Sequence, residues 1–223
     1  MTPRLFFEAI GKLLAGVILV GALLFIPAGG LEYTGAWVLM IILFVPMLVA
    51  GIVMMVKNPS LLAKRLNAKE KLGEQSTVIK LSGLMFVSGF VVAGLGHRFG
   101  WYTLPEWATL TAAVVFLAAY ALYAEVLREN TYLSRTIEVQ ENQKVIDTGL
   151  YGVVRHPMYA VTLLLFLSIP LVLGSVYSFV IFLAYPPIIV KRIKSEERFL
   201  ARELDGYSEY MKRVKYRLIP FVW

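Results

Sequence analysis

Residues 36–56 read AWVLMIILFVPMLVAGIVMMV, a run without one charged side chain. A helix rises about 1.5 Å per residue, so such a run spans the roughly 30 Å hydrocarbon core of a bilayer. Three similar stretches flank it: Ile10–Ala28, Val78–Gly96 and Trp107–Leu127. Two shorter apolar runs follow, Met158–Leu173 and Ser175–Val190, parted at Gly174. Each of these reaches only about 24 Å as a helix, which suggests a helical hairpin whose tip stays near the far interface. Hydrophobic residues make up 58% of the 223-residue chain and charged residues 17%. An ordinary soluble domain holds about 45–50% and about 25%. The expected fold is therefore all-α: a polytopic integral membrane protein of about six transmembrane helices, the last two a short hairpin. The first apolar run lacks a small-residue cleavage site leading into a soluble domain, so it is expected to be a retained span.

The cations set the orientation. Every lysine and arginine except Arg98 falls at the N-terminal end, between spans two and three, between spans four and five, or in the tail. A six-span arrangement puts that whole set on one side, with both termini cytoplasmic. The expected location is the inner membrane of a bacterium or the endoplasmic reticulum of a eukaryote. The net charge of +7 is explained by this asymmetry and calls for no nucleic-acid partner. Absence of cysteine and the presence of only two histidines exclude thiolate catalysis and argue against a metal site.

Two organisational units are expected: residues 1–129, a frame of transmembrane helices with an amphipathic loop at 57–77, and residues 130–223, a catalytic region. In the loop, Asn58-Pro59 suits a helix start, with Leu61, Leu62, Leu66 and Leu72 available for an apolar face on the membrane surface. A solvated linker fits the same residues. The stretch Lys191–Tyr210 has helical composition and is expected to extend the sixth span into the cytoplasm.

Ionisable groups at the membrane boundary carry the chemistry, because charge there is costly. Glu125, Arg128, Glu129 and Asn130 end span four. Gly149-Leu150-Tyr151-Gly152-Val153-Val154-Arg155-His156-Pro157-Met158-Tyr159 precedes span five, and Arg192, Glu196 and Glu197 follow span six. All three clusters fall on the cytoplasmic side, where they can converge on one pocket. Pro157 suits a first helical position, and the helix start behind His156 suits a carboxylate or phosphate. A plain entry turn with Arg155 among lipid headgroups explains the same residues. Arg192 and Glu196 share a helix face, which a solvated ion pair also explains. Tyr207 and Tyr210 are, taken alone, packing residues.

Taken together the pattern is Gly149-x-Tyr151-x-x-x-Arg155-His156-Pro157-x-Tyr159, a short membrane hairpin, Arg192-x-x-x-Glu196-Glu197-x-x-Leu200, then Gly206-Tyr207-x-x-Tyr210, Arg213-Val214 and Leu218-Ile219-Pro220. It resembles the isoprenylcysteine carboxyl methyltransferase family and, more broadly, the membrane methyltransferases that include phospholipid N-methyltransferases. The resemblance spans Asn130 to Trp223. It departs in the tail, where Leu204-Asp205-Gly206-Tyr207 stands for the family's phenylalanine-glycine-x-x-tyrosine. The resemblance implies a transferase that binds S-adenosylmethionine in a cytoplasmic pocket. Carried over by position, the cofactor would be held by Tyr151, His156, Pro157, Met158, Tyr159 and Glu196. Gln140, Gln143, Lys144, Val145 and Ile146 would contribute from the segment before them. Arg192 matches the family's substrate-side arginine, and Arg192 and Glu196 are the catalytic candidates. The implied partner is an amphiphilic or lipid-like acceptor drawn from the bilayer, most simply a carboxylate that is O-methylated. Alternatives are N-methylation of a phospholipid amine and a sterol-reductase-like enzyme using NADPH.

Overall fold

The computed structural model describes residues 3–66, 73–134 and 137–223. Leu72 of the expected amphipathic loop and, among the cations that set the orientation, Lys69, Lys71 and Arg135 lie outside them. The described chain is helical and has no strand, only one isolated bridge between Thr103 and Ser175. Two long helices, α1 (Pro3–Ala28) and α2 (Thr34–Lys57), are followed by the short α3 (Pro59–Leu66). Next come α4 (Gly73–Arg98) and α5 (Glu106–Glu129). A single 3₁₀ turn at Gly149–Gly152 leads into α6 (Pro157–Val172), α7 (Val176–Phe182), α8 (Tyr185–Glu203) and α9 (Tyr207–Arg213).

Among the described residues five stretches are, by length and composition, long and apolar enough to cross a membrane: α1, α2, most of α4, α5, and the α7–α8 stretch Val176–Glu203. The apolar α6 is a 16-residue helix. The outward faces carry large apolar side chains such as Ile18, Ile26, Val56, Trp107 and Val114, which only lipid or protein would cover.

The structure differs from the sequence reading in two places. The sixth apolar run is broken between Phe182 and Tyr185, where Pro186 and Pro187 follow closely and restart the helix. Past Glu203 the expected continuous helix also ends. Gly206 takes a left-handed conformation (φ +80°) and α9 folds back. The reason is apolar: Leu204, Tyr207, Tyr210 and Val214 bury one another, with Val139, Val145 and Leu200 around them. A straight helix would leave that surface in water.

One hydrophobic core runs from Leu24 and Leu39 through Phe116 and Val126 to Ile169, Phe182 and Ile193. Its centre is aromatic. Phe86 meets Phe166 and Phe182 edge-on at 4.9 and 5.3 Å between centroids. Small residues on α4 admit these contacts. A Cβ at Gly89 would sit 2.3 Å from the Phe182 ring, and one at Gly94 would sit 2.5 Å from the Leu24 carbonyl oxygen. Gly83 has open space instead.

The bundle has two unlike ends. At one, the loop after α1, the loop between α4 and α5 and the turn after α6 meet. The Tyr33 hydroxyl donates to the Leu173 carbonyl (2.6 Å) and its ring stacks on His97. Arg98 is the one lysine or arginine there among the described residues. At the other end lie the start of α1, α3, the end of α5, the start of α6 and the end of α8. The Lys12 ammonium donates to the Leu66 carbonyl at 2.6 Å, tying α1 to α3. The chain ends at this same face, against Arg155 and Glu197.

Candidate functional site

Three segments meet at the cation-rich end because each supplies a group another needs. Glu129, at the end of α5, accepts the Leu150 N–H at 2.9 Å and so caps the 3₁₀ turn. Gly149 makes the turn feasible: its φ is +54°, and a Cβ there would lie 1.6 Å from a Glu129 carboxylate oxygen. Only glycine satisfies both constraints. Tyr151 is then fixed from two sides. Asn130 donates to its hydroxyl at 3.0 Å, and Tyr210 donates to its carbonyl at 2.8 Å.

Glu197 organises the next layer. Arg155 donates to Glu197 Oε1 at 2.7 Å and Arg217 to Oε2 at 2.8 Å, while His156 Nε2 lies 3.3 Å from Oε1. Arg155 also donates to the carbonyls of Met211 and Val214. The backbone N–H groups of Arg155 and His156 pair with Tyr216 and Arg217 carbonyls at 2.8 and 2.9 Å. Arg155 is thus a buried latch joining α6, α8, α9 and the tail, and it does not face lipid headgroups. The start of α6 is correspondingly less open to an anion than its sequence suggests, since the N–H groups of Arg155, His156 and Tyr159 all have backbone partners.

Next to this latch lies a second chain of contacts. Tyr159 donates to Glu196 and accepts from Arg192 Nε at 2.8 Å. The guanidinium also sits over the Tyr159 ring at 6.0 Å. Arg192 and Glu196 are therefore coupled through a tyrosine on another helix, not left as a solvated pair.

The two layers bound an open-mouthed cavity of about 810 Å³ when the solvent in its mouth is counted. Of the residues singled out by sequence, Gln143, Lys144, Val145, Ile146, Tyr151, His156, Met158, Tyr159, Arg192 and Glu196 line it. Gln140 and Pro157 do not. Gln140 spends its side chain on the Tyr132 carbonyl, and Pro157 occupies the first position of α6. The wall also includes Asn130, Tyr132, Ser134, Glu138, Leu200, Leu204, Tyr207 and Tyr210. Of these, Asn130 belongs to a boundary cluster at the end of span four, and Leu200, Leu204, Tyr207 and Tyr210 belong to the spaced pattern of the tail. Tyr132, Ser134 and Glu138 carried no signal, because irregular backbone has no period to read.

The polar inventory of the cavity fits a nucleoside sulfonium. Glu196 suits an amine or ribose hydroxyls, the tyrosine faces suit a cationic sulfur, and Leu200, Leu204 and Val145 give an apolar bed for a flat base. Burial pushes the hydroxyls of Tyr151, Tyr207 and Tyr210 above the ordinary phenol range, so all three are protonated donors at neutral pH. Among the described residues no cluster of His, Cys, Asp and Glu could hold a metal ion.

Residues 105–205 match the phospholipid methyltransferase family. The match covers somewhat under half of the chain and marks a similarity to that family over this segment. The segment contains the Gly149–Tyr159 motif, Arg192 and both glutamates, and it stops just short of Tyr207. The chain is also similar to the Delta(14)-sterol reductase TM7SF2 of Mus musculus, 32% identical over 91 residues. That match covers 40% of this chain and 22% of the reductase, so it concerns a part of that protein only.

Proposed function

We propose that this protein is an integral membrane methyltransferase that moves the methyl group of S-adenosylmethionine to an amphiphilic acceptor, by O-methylation of a carboxylate. Residues 130–223 form the catalytic part and residues 1–129 its membrane frame. The cavity faces the cytoplasm, with six crossings, α6 and α7–α8 forming a hairpin, and both termini on the same side. The observation that carries the reading is the convergence of His156, Tyr159, Arg192 and Glu196 on one cavity inside the family-matched segment.

When bound, S-adenosylmethionine supplies an electrophilic methyl group. The chain's part is positioning and exclusion of water. Tyr159 holds the Arg192 guanidinium in place, and a fixed guanidinium aligns a carboxylate through two parallel hydrogen bonds. A carboxylate acceptor is already ionised at neutral pH, so no base is required. Glu196, joined to the same tyrosine, holds the cofactor side. Glu197 is spent on Arg155, His156 and Arg217 and acts only in holding the frame.

The match to a phospholipid methyltransferase family supports a second reading, N-methylation of a lipid amine, with Glu196 accepting the proton the amine loses. The similarity to a sterol reductase supports a third, hydride transfer from NADPH. Against it, the cations lining the cavity among the described residues are Lys144, Arg155 and Arg192. Two of them are engaged by Glu197 and Tyr159, which leaves little for a second phosphate group.

One experiment separates the three. Purified protein is incubated with methyl-labelled S-adenosylmethionine and a total extract of lipids and membrane proteins, then treated with base. The expected product releases labelled methanol, as esters do. Label that withstands base points to N-methylation. No transfer, combined with thermal stabilisation by NADPH but not by S-adenosylmethionine, overturns the methyltransferase reading.

A further inference from the structure

The wall of the cavity contains two neighbouring tyrosines, Tyr207 and Tyr210, with ring centroids 5.6 Å apart. Both are at least nine-tenths buried. Their hydroxyls fare differently. That of Tyr210 donates to the Tyr151 carbonyl at 2.8 Å. That of Tyr207 is buried and has no hydrogen-bond partner among the described residues. A buried hydroxyl left unpaired is unfavourable, and folded proteins rarely tolerate one without a reason.

Packing does not explain it. The ring of Tyr207 sits with Leu204, Tyr210 and Val214, and phenylalanine would fill that place equally well. The hydroxyl lies within electrostatic reach of the Glu196 and Glu197 carboxylates, and Tyr207 lines the cavity together with Glu196 and Leu204. Glu197 already serves Arg155, His156 and Arg217, and Glu196 already accepts from Tyr159.

We propose that Tyr207 is a ligand-binding residue whose hydroxyl donates a hydrogen bond to the bound nucleoside cofactor, the partner it lacks within the chain. The assignment rests on the methyltransferase reading above and adds to it a residue just beyond the family-matched segment. Tyr207 is thereby a ligand and Tyr210 a structural strut, although they stand on one face of one short helix.

The test is calorimetric titration of wild type, Tyr207→Phe and Tyr210→Phe with S-adenosylhomocysteine, alongside melting curves without ligand. One lost hydrogen bond should weaken binding by Tyr207→Phe about 3- to 10-fold. Its ligand-free melting temperature should equal or exceed that of wild type, because the orphaned hydroxyl is gone. Tyr210→Phe should melt lower without ligand. If Tyr207→Phe binds as tightly as a wild type that does bind, this assignment fails and the methyltransferase reading stands. The assignment also fails if Tyr207→Phe melts well below wild type, since the hydroxyl then has a structural partner. If wild type itself does not bind S-adenosylhomocysteine, both fall together.

Discussion

Glu196 and Glu197 are adjacent in sequence and point to different tasks. Glu197 is 6% exposed and faces two guanidiniums and an imidazole. Glu197→Gln keeps the shape but leaves Arg155 and Arg217 uncompensated, and breaking a buried charge pair from one side costs about 3–5 kcal/mol. A large fall in melting temperature in detergent is expected. Glu196→Gln should leave the melting temperature within a few degrees and instead weaken cofactor binding, as should His156→Ala. Arg192→Ala should reduce turnover while cofactor affinity stays within a few fold. If Arg192→Ala abolishes cofactor binding and Glu196→Gln does not, the two roles are reversed. The buried phenols give a pH signature. Tyr151, Tyr207 and Tyr210 have folded-state values raised above the ordinary 10.0 by burial. Above about pH 10 the unfolded chain therefore holds fewer protons than the folded one, and stability falls as pH rises further. Below that pH their contribution is constant. Melting curves from pH 8 to 11 should show the break, less steep for Tyr207→Phe.

At the scale of elements, much was legible. The long helices follow from uninterrupted apolar runs, and the start of α6 follows from His156-Pro157. Glycines on α4 admit close packing within the chain at Gly89 and Gly94. The break between α7 and α8 is marked in the sequence by Pro186-Pro187, but apolar composition continues through it and reads as one run. The turn at Gly206 was hidden because the helical composition of the tail says nothing of what its apolar residues pack against. The latch role of Arg155 was illegible for a related reason: its partners lie 42 residues away at Glu197 and 59 away at Val214. Within the site, motif residues could be found by spacing, whereas Tyr132, Ser134 and Glu138 could be found only by contact. Two substitutions test the packing. Gly94→Val would drive a branched side chain into the Leu24 carbonyl and should destabilise strongly, whereas Gly83→Val, in open space, should be tolerated. Gly149→Ala should also destabilise, by at least the roughly 1–2 kcal/mol of an unfavourable left-handed alanine. It additionally displaces Glu129 from Leu150.

At the scale of the molecule, charge, cavity and chain ends share one face. Arg98 stands alone at the opposite one among the described residues. Cations are retained on the cytoplasmic side of a membrane, so the cavity should draw its soluble cofactor from that side and its amphiphilic acceptor from the bilayer. This is testable by chemistry, because the chain contains no cysteine and any introduced thiol is unique. In sealed vesicles of known sidedness, an impermeant maleimide should label Lys57→Cys and Lys212→Cys from the cytoplasmic side only. It should label Arg98→Cys from the opposite side only. The pair also decides the count of crossings. If α6 spans as well as the α7–α8 stretch, positions 57 and 212 label together. If α6 dips in without crossing, they label from opposite sides and the shared face of the bundle no longer lies along one membrane surface. In the first case, methyl transfer in the same vesicles should require S-adenosylmethionine on the side from which Lys57→Cys is labelled. Transfer supported equally well from the other side would place the cavity's mouth on the wrong surface.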